Sequence, residues 1–251
     1  GIPHAETEAI SNAGDDVVGA TLYVSLEPCC HYGKTGPCTD AIIKSGIKEV
    51  IVAIADLDER MKGKSLAILR SNNIKVSSGY MEKEALEVCK GFFTRIVKNR
   101  PYIKIKIASS LDGKIALDNG ESKWITNTKS REKVHYLRAK SDAVITGIGT
   151  VLKDDPELSC RIKGLEHYSP IRIIVDSKLL IPLDSKLVKS VRSLDLWVIT
   201  NSKDEKKINA LELLGVKVFK IDINKNGQIS LEKLLNLLAQ MNINNLMVES
   251  G

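Results

Sequence analysis

The sequence predicts an α/β protein made of two units, each built around a largely parallel sheet. Segments with strand character alternate with helical segments along most of the chain. One of them, 49–55, is continuously apolar, which is typical of a strand buried on both faces of a sheet. A polar stretch at 98–101 interrupts the pattern, and Pro101 disfavours helix at the residue before it. We therefore assign 1–99 to a first domain and 100–251 to a second.

The elements of the first unit follow from apolar spacing and from helix end signals. Pro3 suits the first turn of a helix, and Gly46 suits the position just past a helix end. The predicted elements are a helix over 3–13, a strand over 21–25, a helix over 37–44, a strand over 49–55, a helix over 65–71, a strand over 75–78 and a helix over 82–96.

The second unit opens with a strand over 102–107, in which three isoleucines alternate with two lysines, the period of a half-buried strand. The strands and helices behind it repeat the alternation seen in the first unit. They are a helix over 130–139, strands over 143–146, 171–175 and 196–200, a helix over 204–214, a strand over 216–221, a helix over 231–241 and a strand over 245–248.

Composition and charge narrow the classes of function. The net charge is +6, but the basic residues are spread along the chain and are not interleaved with aromatic ones. This pattern argues against a nucleic-acid partner and favours small anionic ligands such as phosphates. No apolar run approaches the roughly 18 residues that a membrane span needs, so we expect no membrane partner.

The five cysteines indicate metal binding in a reducing compartment. Three of them lie within ten residues, the count is odd and we expect no signal peptide, which together disfavour a disulfide framework. We therefore expect a cytoplasmic protein. The chain starts at Gly1 instead of Met and stops at Gly251 directly after a strand-like run. We also expect, for that reason, an internal fragment in which both domains are truncated.

Four residues form a candidate catalytic zinc site: His4, Glu6, Cys29 and Cys38. One imidazole and two thiolates supply three zinc ligands and leave one position open for water. A carboxylate that is close to this water but is not a ligand can then transfer protons, and Glu6 lies two residues after His4. The general signature of zinc deaminases combines H-x-E with P-C-x-x-C. The sequence therefore predicts hydrolytic deamination.

Other interpretations of this site stay open at the level of the residues. Eight residues separate Cys29 from Cys38, whereas the general signature has two. Cys30 or His31 could complete a structural site with four protein ligands, which would make the protein a non-enzymatic zinc-stabilised scaffold. A nucleic-acid or free-base deaminase, such as the tRNA-editing type, would share the two short motifs. It would not explain the long spacing or the second unit.

The second unit offers weaker candidates. Lys104 and Lys106 share one face of a strand and could hold a phosphate, although a solvated strand face is as plausible. Trp124 could stack on a nicotinamide or base ring, and packing would explain it equally well. The segment 147–150 follows a strand and contains two glycines, but it lacks the third glycine of a dinucleotide fingerprint.

Two acidic positions complete the candidates. The run 154–156, Asp-Asp-Pro, is most simply a turn and could alternatively be a metal pair. Asp176 and Ser177 end an apolar strand, and the carboxyl ends of strands are where α/β sheets bind ligands.

Longer stretches resemble one enzyme family. Residues 26–38, LEPCCHYGKTGPC, resemble the zinc loop of the bifunctional pyrimidine deaminase–reductase family of riboflavin biosynthesis, including its long cysteine spacing. Cys30 stands where that family usually has Ser, and Gly36 where it often has Pro; neither change removes a ligand. In the second unit, 109–114, 121–126 and 149–156 are similar to the family's reductase domain, and 248–251 resemble one of its motifs.

The resemblance implies a cytidine-deaminase-like α/β/α zinc domain followed by a dihydrofolate-reductase-like α/β reductase domain. It implies Zn2+ and NADPH as cofactors and a diaminopyrimidinone carrying a ribosylamino 5′-phosphate as substrate. The first domain would hydrolyse a ring amine, and the second would reduce the ribosyl group to ribityl. The resemblance also implies a homo-oligomer formed through the reductase domain.

Carried over residue by residue, the resemblance assigns roles to named positions. It makes Glu6 the catalytic residue and His4, Cys29 and Cys38 the zinc ligands. The implied NADPH contacts are Ala108, Trp124, Thr150, Asp154 and Ser177. The implied substrate contacts are Lys106, Ser122, Arg138, Leu158, Arg161 and Glu249.

Overall fold

The computed structural model describes residues 4–33, 35–59, 61–122 and 124–249. The chain divides into two compact units, Gly1–Lys98 and Asn99–Gly251. Both are α/β units with entirely parallel strand pairing, so the predicted fold class is confirmed. In the described part of the chain, no helix is both long enough and apolar enough to cross a bilayer.

The first unit is a three-stranded sheet of order β1-β2-β3 with helices packed against it. Its elements are α1 (Ala5–Ala13), β1 (Thr21–Leu26), α2 (Cys38–Lys44), β2 (Glu49–Ile54), α3 (Lys64–Ser71), β3 (Lys75–Ser78) and α4 (Glu82–Lys98). β2 is central, and its Val50 and Val52 are fully buried. They form a core with Ile42 of α2 and Leu69 of α3. On α4, Phe93 is buried in a smaller cluster with Ile54.

The second unit is a six-stranded sheet of order β4-β9-β5-β6-β7-β8. Its elements are β4 (Tyr102–Lys106), α5 (Thr128–Ala139), β5 (Ala143–Gly147), α6 (Ile148–Asp154), β6 (Ile171–Val175), α7 (Lys186–Lys189), β7 (Leu196–Thr200), α8 (Glu205–Leu214), β8 (Lys217–Lys220), α9 (Leu231–Gln240) and β9 (Asn245–Glu249). The last strand of the chain thus inserts between β4 and β5, where it pairs with both.

The side chains of the central strands alternate between two buried cores, one on each face of the six-stranded sheet. Val144, Ile174 and Val198 belong to one core. Their neighbours Ile145 and Ile199 belong to the other. This double burial explains why these strands are continuously apolar in the sequence.

The structure corrects the predicted elements at several points. A helix, α6, begins directly after Gly147, in the glycine-containing segment 147–150 for which no helix was predicted. Val151 on this helix is 2% exposed, and its burial outweighs the low helix propensity of Gly149. The short helix α7 was not predicted. Most other helices and strands end within two residues of the predicted positions. Pro3, which was expected in the first helix, lies outside the described residues.

One buried cation fixes the connection between β6 and β7. Arg172 of β6 is fully buried, and its guanidinium donates to Ser190 Oγ at 2.7 Å and to the carbonyl oxygens of Leu194 and Asp195. Burial lowers the pKa of Arg172 to about 10, which leaves the side chain charged at neutral pH. The guanidinium therefore satisfies the polar groups of the segment that leads into β7.

We expect Arg172→Ala to destabilise the second unit by about 3 kcal/mol, because a large buried side chain is removed and Ser190 Oγ and the Leu194 carbonyl lose a charged donor. Both tryptophans of the chain, Trp124 and Trp197, lie in this unit, so urea unfolding followed by tryptophan fluorescence measures its stability. Arg192→Ala, which removes an exposed arginine from the same region, is the matched control and should stay within about 0.5 kcal/mol. Equal stability of the two variants would contradict this role.

Candidate functional sites

Three side chains from three elements meet in the first unit. His4 is the residue before α1, Cys29 follows the carboxyl end of β1, and Cys38 is the first residue of α2. His4 Nδ1 lies 3.2 Å from Cys38 Sγ and 3.5 Å from Cys29 Sγ. The ligand atoms of all three residues lie within 4.8 Å of one another. The backbone N–H of Cys38 also points at Cys29 Sγ, at 3.2 Å.

These distances fit a tetrahedral zinc ion. With Zn–N of about 2.0 Å and Zn–S of about 2.3 Å, tetrahedral geometry places a ligand nitrogen about 3.5 Å from a ligand sulfur. Three ligands leave the fourth position open, as a catalytic zinc site requires. The residues present therefore fit zinc.

The electrostatic surroundings of Cys38 also favour a bound cation. Burial raises the pKa of the Cys38 thiol far above its usual range, and the neighbouring Cys29 and the charge of Glu6 raise it further. Two adjacent thiolates would be unfavourable here without a positive charge, which a metal ion supplies. Glu6 is the second residue of α1, two positions after the ligand candidate His4. Among the described residues, however, the group able to hold a metal does not include Glu6.

Cys30 and His31 face away from this ligand group. Both contact the buried Met61: His31 Nδ1 lies 2.9 Å from Met61 Sδ, and Cys30 Sγ lies 3.9 Å from it. Neither belongs to the described group of candidate ligands. This arrangement does not support a structural site with four protein ligands.

Glu27 is a buried residue next to the candidate zinc site whose hydrogen-bond partners the sequence did not reveal. Its side chain is 4% exposed and accepts hydrogen bonds from the backbone N–H groups of Asp56, Gly63 and Ser65 at 3.0–3.2 Å. The Ser65 hydroxyl donates to it at 2.8 Å. Glu27 thereby ties the end of β1, two residues before Cys29, to the start of α3. The Glu-Pro-Cys motif was the available signal, but it did not show these partners.

The second unit contains a cavity of about 660 Å³ at the carboxyl ends of β4, β5 and β9. Ten of the eleven contacts that the resemblance implied line it: Lys106, Ala108, Ser122, Trp124, Arg138, Thr150, Asp154, Leu158, Arg161 and Glu249. Ser177 is not among the described lining residues; it follows β6, and its carbonyl oxygen accepts a hydrogen bond from Asn201. Lys104, the alternative phosphate contact, is also not among them.

Two arginines at this cavity are already paired with carboxylates. Arg138 donates to both oxygens of Glu249, at 2.6 and 2.8 Å, and both side chains are largely buried, at 11% and 9% exposure. Arg138 also donates to the carbonyl oxygen of Ser159 at 2.9 Å. Arg161 pairs with Glu157 at 2.8 Å in a more exposed position. The cavity therefore presents fixed cations whose charge is partly balanced.

The remaining candidates take defined positions. Trp124 is 71% exposed, so it is not a core residue, and its ring lies 4.4 Å from the guanidinium of Arg131. The run 154–156, predicted as a turn, is instead the end of α6: Asp154 is its last residue and Asp155 caps it in a left-handed conformation. The carboxylate of Asp155 accepts from the backbone N–H of Lys186. Cavity residues that sequence reasoning missed include Arg131, His135, Glu157 and Lys186.

Comparison with known proteins assigns each unit. Residues 1–54 match the model of the cytidine and deoxycytidylate deaminase zinc-binding region, and 101–251 match that of the RibD C-terminal domain. The chain is 45% identical to riboflavin biosynthesis protein RibD of Aquifex aeolicus over 251 residues, which is all of this chain and 68% of that protein. The chain belongs to the RibD family. RibD of Escherichia coli is 36% identical, with 100% of this chain and 70% of that protein covered.

Solved structures agree with this assignment. A deaminase/5-amino-6-(5-phosphoribosylamino)uracil reductase from Thermotoga maritima is 38% identical and superposes with a TM-score of 0.83 over 100% of this chain and 68% of its own. RibD of Acinetobacter baumannii is 37% identical, with a TM-score of 0.87 over 99% of this chain and 67% of its own. The chain thus spans about two thirds of these relatives. As a RibD-family enzyme, it has a zinc-binding deaminase unit and a reductase unit that serve riboflavin biosynthesis.

We expect Glu27→Gln to destabilise the deaminase unit by about 3 kcal/mol, because an amide cannot accept from all the donors that surround the carboxylate. Hydrogen exchange of the peptides around 26–30 and 55–66 should increase, and zinc should dissociate faster. Glu49→Gln, which breaks an exposed pair with Lys75, is the control and should change stability by less than about 0.5 kcal/mol. Unchanged exchange and zinc retention in Glu27→Gln would contradict this role.

Proposed function

We propose that the two units act in sequence on one phosphorylated pyrimidine. The substrate is a diaminopyrimidinone that carries a ribosylamino 5′-phosphate; the first unit removes a ring amine, and the second reduces the ribosyl group to ribityl. The observation that best supports this proposal is that one RibD-family chain has two sites. The first unit has a three-ligand zinc geometry with a carboxylate two residues from one ligand, and the second has a cavity lined by arginines.

In the deaminase unit, His4, Cys29 and Cys38 would hold zinc. When bound, zinc supplies Lewis-acid activation of the hydrolytic water. Glu6 follows His4 by two residues and is outside the described ligand group. It would take a proton from water and deliver it to the ring nitrogen, and would then move the proton of the added hydroxyl to the amino group, which leaves as ammonia. Burial of Cys38 keeps bulk water away from one side of the site.

In the reductase unit, the proposed cofactor is NADPH, which supplies the hydride. Ala108, Trp124, Thr150 and Asp154 would contact it, and we retain Ser177 as a contact at the neighbouring end of β6. Lys106, Ser122, Arg138, Leu158, Arg161 and Glu249 would bind the substrate. Arginine presents a fork of donors that matches phosphate, so Arg161 is the proposed phosphate contact that can exchange its carboxylate partner for the ligand.

Two further expectations remain proposals. Small phosphorylated ligands, not nucleic acid or membranes, are the proposed partners, together with a second copy of the chain bound through the reductase unit. The five cysteines are free, which fits a reducing compartment and supports a cytoplasmic location.

For the deaminase, Glu6→Gln should retain zinc and abolish ammonia release from the diaminopyrimidinone, because the amide cannot accept the proton from water. Zinc is measured by atomic absorption and ammonia by a coupled assay. Glu8→Gln, which changes an exposed residue two positions further along the same helix, should keep full activity. Normal deamination by Glu6→Gln would overturn the role of Glu6.

For the reductase, Arg161→Ala should raise KM for the deaminated phosphorylated substrate about 10- to 100-fold, because a charged hydrogen bond contributes about 1.5–3 kcal/mol. KM for NADPH should change little. Lys163→Ala removes an exposed cation two residues away and serves as the control. If both variants behaved like the wild type, or if KM rose for NADPH instead, the phosphate assignment would be wrong.

A further inference from the structure

His135 is a titratable group at the reductase cavity to which the proposed function gives no role. It lies on α5 and lines the cavity beside Arg138. Its Nδ1 lies 3.1 Å from the carbonyl oxygen of Ser159 and 3.3 Å from the backbone nitrogen of Arg161. Nδ1 is therefore engaged by the backbone of 159–161, which leaves Nε2 as the ring nitrogen able to meet a ligand.

The protonation state of the His135 ring decides which of the two backbone groups Nδ1 bonds to. In the neutral ring with the proton on Nε2, Nδ1 accepts from the Arg161 N–H, and Nε2–H is free to donate. In the charged ring, both nitrogens carry protons: Nδ1–H donates to the Ser159 oxygen, and Nε2–H again donates. In both of these states, Nε2–H can donate to an anion, but only the charged ring adds a positive charge.

The charges around His135 set its response to an anion. Arg138 from its own helix, Arg161 from the loop and Glu249 from β9 all act on it, and Glu157 pairs with Arg161. The short turn at 166–168, which packs against α5, carries two further ionisable groups, Glu166 and His167. Burial, followed by Arg138 and Arg161, lowers the pKa of His135 below its ordinary value. The ring is therefore mostly neutral in the free protein near pH 7.

A phosphate monoester changes this balance. It brings close to two negative charges at neutral pH, while both arginines already share their charge with carboxylates. An incoming dianion offsets the repulsion by the two arginines and adds an attraction for the charged ring, which together act against the effect of burial on the pKa of His135.

We propose that His135 is a further substrate-binding residue of the reductase unit, which donates Nε2–H to the phosphate and takes up one proton from solvent when the phosphate binds. The inference rests on the proposed function, since it requires the phosphate to lie beside Arg138 and Arg161. It adds a residue and a proton linkage to that site.

The test uses ribose 5-phosphate as the probe and the chain with 13C-labelled histidine. The sequence has four histidines, and the signal missing in His135→Gln identifies His135. In the wild type, this signal should titrate below pH 6.5 without the probe and at least one pH unit higher at saturation, a tenfold gain in proton affinity.

Calorimetry in two buffers of different ionisation enthalpy measures the linked protons. Wild type and the control His167→Gln, which changes an exposed histidine outside the described cavity lining, should both take up protons near pH 7. His135→Gln should take up fewer. The ratio of wild-type to His135→Gln affinity should rise about fivefold from pH 8 to pH 6, and in this ratio the ionisation of the probe itself cancels.

The outcomes separate the inference from the proposed function. If ribose 5-phosphate binds and Arg161→Ala weakens it, but His135 does not shift and His135→Gln takes up the same protons, the role of His135 is wrong and the phosphate site stands. If the wild type does not bind the probe, or if Arg161→Ala leaves binding unchanged, the phosphate does not occupy this site, and both proposals fail.

Discussion

Parallel strand pairing is the constraint on which both sites depend. In a parallel sheet, all strands end at the same edge, so the residues that follow them are brought together whatever their separation in sequence. In the first unit, this edge carries Glu27 and Cys29 after β1. In the second, β4 ends at Lys106 and β9 at Glu249, and β5 leads directly into α6. The chemistry of each unit therefore gathers at one edge of its sheet.

Buried charge is the second constraint, and three of the buried ions have a defined set of partners. Glu27 is surrounded by backbone donors, Arg172 by carbonyl oxygens, and Arg138 by Glu249. These buried ions fix the orientation of the segments that they join, because leaving them unpaired in the interior would cost much free energy. At the reductase cavity, the same kind of pairing fixes the orientation of Arg138, a proposed substrate contact.

The sequence predicted the fold class and the grouping of His4, Cys29 and Cys38, because these signals are local or highly specific. The apolar run of β2 and the spacing of His4, Cys29 and Cys38 required no knowledge of distant contacts. Other features depend on tertiary contacts. Helix α6 forms against glycine propensity because Val151 reaches the core. The partners of Glu27 lie 29–38 residues further along the chain, and Arg138 and Glu249 are 111 residues apart.

The reductase contacts were obtained from the family resemblance and not from spacing, since no pattern in one sequence pairs Arg138 with Glu249. Neither sequence spacing nor the family resemblance pointed to His135. A single histidine on a helix face carries no sequence signal, and its interest comes from two backbone groups and two arginines that only the fold places around it.

The central claim is that one chain carries two chemically independent sites, and His4→Ala tests it most directly. In this variant, zinc content and ammonia release from the diaminopyrimidinone should both be lost, because one of three ligands is missing. NADPH oxidation with the already deaminated substrate should continue at the wild-type rate. Loss of both activities in a protein that remains folded by circular dichroism would contradict the account.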